Sequence, residues 1–341
     1  MTEIRENVSL KPYNTFGIDV KARYFSEAGS LEELRGILDH NLFKTVPVLW
    51  MGGGSNMLLV SDFEGWVIRV NLRGKHVEEK TDAKVVVSAC AGENWHQFVL
   101  WTLEQNLGGL ENLSLIPGNV GTAPMQNIGA YGAEIKDTFL KLEGLNIQNG
   151  ELETFDREQC AFGYRESVFK RSLKGKYIIT KVYFSLTPEA EHSVNTQYGA
   201  IEAQLSEMGT KATIHSVSEA VIAIRSSKLP NPKEIGNSGS FFKNPVVSAA
   251  QVEELKKTYP DLVAYPVSEK EVKLAAGWLI EKAGWKGYRK GDAGVHKNQA
   301  LVLVNYGNAS GKEIVALSRE IQQSVFRTFG VPLEAEVNII E

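Results

Sequence analysis

Residues 113–132, LSLIPGNVGTAPMQNIGAYG, constrain this chain more than any other stretch. Four of the twenty are glycine and two are proline, and none is Lys, Arg, Asp or Glu. An amphipathic element is therefore excluded, because glycine loosens the backbone and proline removes a donor. The run Pro117-Gly118-Asn119-Val120-Gly121 suits a loop whose amide N–H groups wrap a phosphate or the polar edge of a ring. Glycine spacing alone is equally compatible with a long connection that binds nothing. Gln126-Asn127-Ile128-Gly129-Ala130-Tyr131-Gly132 favours a ligand, since amides and a Tyr between glycines offer hydrogen bonds without charge. That composition fits a neutral heterocycle better than a free phosphate.

A second glycine-rich segment lies some sixty residues earlier. Residues 46–50 (VPVLW) read as a buried strand running into Met51-Gly52-Gly53-Gly54-Ser55-Asn56. A strand fixes the direction of the loop that follows it, so the segment is a candidate phosphate loop. It is neither a dinucleotide fingerprint, having Met57 where the last glycine belongs, nor a Walker loop, having no Gly-Lys-Ser/Thr.

The other segments read as a mixture of strands and helices. Ser30-Leu31-Glu32-Glu33 is a capping box before a short helix with Leu31, Leu34 and Leu38 on one face. Residues 67–70, 85–89 and 177–186 read as strands, and residues 141–155 as a hairpin turning on Asn149-Gly150. Asn94 caps a helix expected to end near Gly108-Gly109. A helix capped by Ser216, with Glu219 at N3, turns Val217, Val221 and Ile224 inward and leads to a Leu229-Pro230-Asn231-Pro232 linker. Beyond it come a strand at 240–242, a helix boxed by Ser248 and Gln251, a helix at 272–283 stopped by Gly284, and a strand at 300–304. A long helix at 310–329 follows, with Glu313 at N3, Gly330 at C′ and Pro332 beyond. Residues 334–341 read as a strand whose partner the sequence does not reveal. The pattern is α+β.

Composition excludes several classes. A formal charge of -4 argues against a basic nucleic-acid-binding face. Cys90 and Cys160 are too few for a disulfide framework, and neither they nor the scattered histidines have metal-ligand spacing. The start, MTEIRENVSL, has no apolar signal region, and no window is apolar enough for a membrane span, so the cytosol is the expected compartment.

Three clusters carry candidate chemistry. Arg165 lies in Phe162-Gly163-Tyr164-Arg165, where its planar fork suits a carboxylate or phosphate and a surface turn is the alternative. Arg225 and Lys228 precede Gly239-Ser240-Phe241-Phe242-Lys243-Asn244-Pro245, which sets a hydroxyl at the mouth of an apolar segment. A serine hydroxyl is so weak an acid that it protonates only a strongly basic centre such as a carbanion or enolate. Glu336 alternates with apolar Val337 and Ile339, a setting that raises a carboxylate pKa; an exposed strand-edge Glu is the alternative.

Together these residues resemble the type I UDP-N-acetylenolpyruvoylglucosamine reductases of bacterial cell-wall synthesis. The likeness spans Asn14-Thr15-Phe16, Gly52 through Asn56, Ile116-Pro117-Gly118 on to Gly132, Gly163-Tyr164-Arg165, Lys228-Leu229-Pro230, the Ser240 motif, Ala275-Ala276-Gly277-Trp278 and Glu336-Val337. It implies a two-subdomain FAD-binding fold of the vanillyl-alcohol-oxidase (PCMH) type with a smaller α+β substrate-binding domain. The implied boundaries are 1–65 and 66–229 for the FAD subdomains, with a PCMH-type region at about 17–188 and the strand at 331–341 returning to it. The domain for the UDP-sugar is then 230–330.

The resemblance further implies non-covalent FAD held by Gly52, Gly53, Gly54, Ser55, Asn56, Pro117, Gly118, Gly121, Gln126, Asn127, Gly129 and Tyr131. Arg165 and Glu336 polarise the substrate carboxylate and Ser240 is the proton donor. Tyr198, Arg225, Lys228, Asn244, Tyr265, Lys286 and Gln299 contact the small-molecule substrate, UDP-N-acetyl-3-O-(1-carboxyvinyl)-glucosamine. NADPH is the implied hydride donor, and peptidoglycan precursor synthesis, on which cell shape and division depend, the implied process. No metal, nucleic acid, membrane or oligomer is implied. The chain ends a few residues after Glu336, where some relatives continue, so whatever that tail contributes is expected to be missing. A flavin oxidase of similar fold and a non-catalytic carrier are rival readings; the first is disfavoured because neither glycine loop has a His to tether a flavin.

Overall fold

The computed structural model describes residues 2–341 and divides into two compact units. The first comprises the N-terminal residues to Val8, Ala22–Gly53 and Glu64–Ser227; the second comprises Ser9–Lys21, Gly54–Phe63 and Lys228–Glu341.

Two sheets organise the first unit. One has the order Arg5–Ser9, Lys21–Ala28, Phe63–Val70, Val48–Met51. Its last two strands run parallel, with Trp50 opposite Ile68. Helix Leu31–Asp39 covers it, burying Leu34, Ile37 and Leu38 against Trp66, Ile68 and Val70. Ser30 caps this helix through the Glu33 N–H, while the Glu33 carboxylate reaches the Gly29 N–H instead of completing the box on Ser30. The second sheet is antiparallel, in the order Leu152–Asp156, Phe139–Asn146, Tyr177–Leu186, Val85–Cys90, Lys75–Lys80. Gly150 takes φ +71° in the hairpin between the first two strands, as expected of Asn-Gly. Helix Trp95–Glu104 packs Trp95, Phe98, Val99 and Leu103 into the core of this sheet. Each such apolar side chain, fully buried, contributes about 1.5–3 kcal/mol. A smaller cluster joins helices Gly199–Met208 and Ile214–Lys228 through Ile201, Leu205, Val217, Val221 and Ile224, with Tyr131 packed against it.

In the second unit, a sheet ordered Gly236–Asn237, Leu303–Asn305, Ala293–Val295, Arg289–Lys290 lies alongside helix Gly311–Phe329. That helix has its full capping box on Ser310 and Glu313 and ends on Gly330 at φ +65°. A three-stranded sheet has Glu271–Leu274 at its centre, between Val246–Ser248 and Ala264–Pro266. The terminal strand Asn338–Ile340 pairs parallel with Met57–Leu59, within the same unit.

Four expectations are corrected. Residues 272–283 are not one helix: Glu271–Leu274 is a strand bonded on both sides, and only Ala276–Lys282 is helical. Two flanking partners satisfy that backbone better than a helical turn would, overriding the apolar spacing. The helix after Asn94 ends at Glu104, where Asn106 takes the left-handed conformation (φ +54°) before the glycines are reached. The helix expected to begin at Ser216 begins at Ile214, because Thr213 and Ser216 bond each other's N–H reciprocally and so set the cap three residues earlier. Residues 240–242 form no ladder strand; only Phe242 makes a bridge, to Ala335. Among the described residues no helix is long and apolar enough to cross a membrane.

Candidate active site

In the first unit the two glycine segments meet. A Cβ on Gly52 would lie 2.6 Å from Thr122 Cγ2, and one on Gly53 2.7 Å from Asn119 Oδ1 and 3.1 Å from Gly118 Cα. At Gly52 a side chain would collide with the Thr122 methyl, and at Gly53 with the Asn119 amide and the Gly118 backbone, so glycine lets the two segments pack closely. The N-terminus of helix Trp95–Glu104 grips the same loop: the Trp95 N–H donates to Gly118 O (3.0 Å) and its indole N–H to Leu113 O (2.9 Å). The result is a wall of main chain, with small side chains, that suits a flat polar heterocycle. A wall of this kind fits the flat ring system of a group such as FAD.

Downstream, Gly129–Ala130 and Ala133–Glu134 pair around a two-residue turn in which Tyr131 (φ +51°) and Gly132 (φ +79°) are both left-handed. A Tyr in that conformation is strained and persists only where its surroundings over-determine it. They do: Asn112 Nδ2 donates to Tyr131 O (2.9 Å) and Asn195 Nδ2 to Gly132 O (3.1 Å). A second tight turn, closed by Gly163 and Glu166, carries Arg165 at φ +55°. Asn127, fully buried, ties the two turns together. Its Nδ2 donates to Gly163 O and to Glu134 Oε2, both at 3.0 Å, and its Oδ1 accepts from Lys136 N–H (3.2 Å). Asn127 thus uses its amide to place the Arg165 turn. Arg165 in turn donates from Nη2 to Gly129 O at 2.8 Å.

Four of the expected residues converge here. The guanidinium of Arg225, from helix Ile214–Lys228, lies beside the phenol of Tyr131. Tyr131 packs edge-on against Tyr198, ring centroids 5.2 Å apart. Arg165 is near enough for its charge to act on Arg225. Burial pushes the Arg225 pKa down and the Arg165 charge pushes it further, while the Tyr131 phenol opposes both. Two guanidiniums that disfavour each other beside two phenols form a site for a carboxylate or phosphate.

In the second unit, Ser240 and Glu336 are brought close by main-chain pairing. The Glu336 N–H donates to Phe241 O (2.8 Å), and the Phe241 N–H to Leu301 O (2.8 Å). Asn56, expected on a cofactor loop, donates from Nδ2 to Glu336 O (3.3 Å) and accepts from Asn338. Gly54, Ser55 and Asn56 belong to this unit, whereas Gly52 and Gly53 belong to the first. Asn244 and Gln299 converge on the start of helix Ala276–Lys282: Asn244 Oδ1 accepts from Ala276 N–H (2.9 Å), and Gln299 Oε1 lies 3.1 Å from where a Gly277 Cβ would sit. Tyr265 is exposed on the three-stranded sheet opposite Lys273, and Lys286 is paired with Glu281 at 2.9 Å. Lys228 is the exposed last residue of its helix. No cluster of His, Cys, Asp and Glu able to hold a metal is present among the described residues.

Sequence reasoning missed residues that hold this geometry, notably Asn112 and Asn195, neither of which sits in a motif.

Comparison with known proteins agrees with these features. Residues 22–156 match the family model described as FAD binding domain, and residues 231–340 that described as UDP-N-acetylenolpyruvoylglucosamine reductase, C-terminal domain. The UDP-N-acetylenolpyruvoylglucosamine reductase of Flavobacterium johnsoniae is 56% identical over 99% of this chain and 100% of its own length. That of Pseudomonas putida is 54% identical over 98% of each. The crystal structure of the Thermus caldophilus reductase shares the fold at 24% identity, with TM-score 0.68 over 100% of this chain and 99% of that one. The chain belongs to the UDP-N-acetylenolpyruvoylglucosamine reductase family of FAD-dependent oxidoreductases.

Proposed function

We propose that this protein reduces the enolpyruvyl ether of UDP-N-acetylglucosamine to UDP-N-acetylmuramate, with NADPH as electron source, in cytoplasmic peptidoglycan precursor synthesis. The observation that supports it most is the Arg165–Arg225–Tyr131 cluster beside a side-chain-poor loop wall. Bound FAD supplies the hydride that the β-carbon of the enolpyruvyl group receives. The chain's own residues deal with the consequence, negative charge at the α-carbon spreading into the carboxylate.

Arg165 stabilises that charge where it develops, and because its turn is pinned by Asn127 it is oriented in advance. Glu336, when protonated, donates a hydrogen bond to the same oxygens. Ser240 Oγ gives its proton to the α-carbon, a centre basic enough for a hydroxyl donor. Tyr198, Arg225, Lys228, Asn244, Tyr265, Lys286 and Gln299 bind the UDP-sugar, while Gly54, Ser55, Asn56, Gln126, Asn127, Gly129 and Tyr131 complete the cofactor loops.

Anaerobic NADPH should bleach the yellow absorbance of the purified protein, and the enolpyruvyl sugar should restore it. Recovery with oxygen and not with the sugar would indicate an oxidase; no bleaching at all would indicate a carrier.

A further inference from the structure

The peptide at Leu115 lies at the centre of a relay not yet assigned a role. Leu115 takes φ +57°, a costly conformation for a branched residue of its size. Its N–H donates to His96 Nδ1 at 3.0 Å, and its carbonyl accepts from Arg225 Nε at 3.2 Å. The residue before it is also held, because Ser114 Oγ and Ser218 Oγ are 2.7 Å apart and buried. Ser218 and Arg225 are seven residues apart and therefore share a face of helix Ile214–Lys228. One strained residue is thus clasped by an imidazole at its N–H and a guanidinium at its carbonyl.

The imidazole's state follows from the donor it faces. A backbone N–H can only donate, so Nδ1 must carry a lone pair and the ring proton sits on Nε2. Burial and the nearby positive charge of Arg225 both hold the His96 pKa below its ordinary value, which keeps the ring an acceptor at neutral pH.

We propose that His96 is a positioning residue: by holding the Leu115 peptide it aims the Arg225 guanidinium into the anion site shared with Arg165 and Tyr131. The proposal rests on the reductase reading for the identity of the anion, but not for the relay itself. His96 acts through Leu115.

The test compares His96→Ala, His96→Asn, Arg225→Ala and the double variant His96→Ala/Arg225→Ala. In His96→Ala, bleaching by NADPH should stay within about twofold of the unsubstituted protein. The concentration of enolpyruvyl sugar giving half-maximal reoxidation should rise about tenfold, the effect of one lost hydrogen bond. His96→Asn, whose Oδ1 can replace Nδ1 as acceptor, should recover most of that loss. The double variant should be no worse than Arg225→Ala, since the histidine would act only through the arginine. Equal damage to both half-reactions, no rescue by Asn in a folded variant, or additive losses would overturn the proposal. Nitrogen NMR of the imidazole, which needs no substrate, supplies the separate readout. A protonated Nδ1 at neutral pH would sink the relay even if the reductase reading stands. A protein with the expected Nε2–H tautomer that the sugar cannot reoxidise would instead sink the reductase reading and leave the relay in place.

Discussion

Asn127 and Asn237 are the same device in two regions of the molecule, and they differ in reach. Each is a buried asparagine whose amide makes three hydrogen bonds. Asn237 binds locally, to Pro230 O, Ile235 O and the Gly239 N–H. Asn127 joins its own loop to Gly163, 36 residues away, and so fixes where the Arg165 turn sits. The Ser240 segment has a second support, the main-chain bonds of Phe241 to Leu301 and Glu336. Main-chain bonds also hold Gly118, Val120, Gly121 and Ile128 within 113–132, but at the left-handed Leu115 and Tyr131 it is side chains that bond the backbone. A segment held by main-chain pairing tolerates loss of one side chain. A strained one held by side chains does not.

The largest effect that tests this contrast is expected from Arg165→Ala: reoxidation by the enolpyruvyl sugar should slow by on the order of 10³-fold with bleaching intact, as for other lost charge-stabilising groups. Equal losses in both half-reactions would mean that the turn, not the charge, had been damaged. Ser240→Ala should slow the same step by on the order of 10²-fold. An unchanged rate would remove the serine from the mechanism. Asn127→Ala and Asn237→Ala sharpen the comparison directly. Each should cost about 2 kcal/mol in urea unfolding, because buried main-chain groups lose their partners. Only Asn127→Ala should also slow reoxidation, by about tenfold; a similar slowing in Asn237→Ala would erase the proposed difference in reach.

The smallest effect concerns pH. Burial, chiefly, holds the pKa of both His96 and His296 below the ordinary value of 6.5, with a neighbouring cation, Arg225 or Lys297, adding to it. Their unfolded forms therefore bind protons first, so the stability they contribute is present above about pH 6.5 and is lost as the pH falls through and below it. His96→Asn should make the urea midpoint less sensitive to pH across that window. Unaltered sensitivity would show that His96 is not the titrating group.

Much of this fold was legible in the sequence where structure is local. The helix Gly311–Phe329 announced itself through Ser310, Glu313 and Gly330, and the hairpin around Asn149-Gly150 through its turn. Both glycine loops were visible too, because absence of side chains is itself a pattern. Arg165, Ser240 and Glu336 stood out as candidates from their own settings, but only the resemblance gave them roles, since Arg165 and Glu336 each have an ordinary surface alternative. His96 and Asn127 illustrate what stayed hidden: a helix-start histidine and a loop asparagine reveal nothing of partners 19 and 36 residues distant.

By itself, then, the chain determined its caps, its turns and which segments must remain irregular, for these depend on interactions within a few residues. Only the tertiary structure decided that Glu271–Leu274 is a strand, that Asn338–Ile340 lies beside Met57–Leu59, and that Arg225 meets Arg165 and Tyr131. Those outcomes depend on partners far along the chain, and the free energy that selects them is released only when the distant surfaces meet.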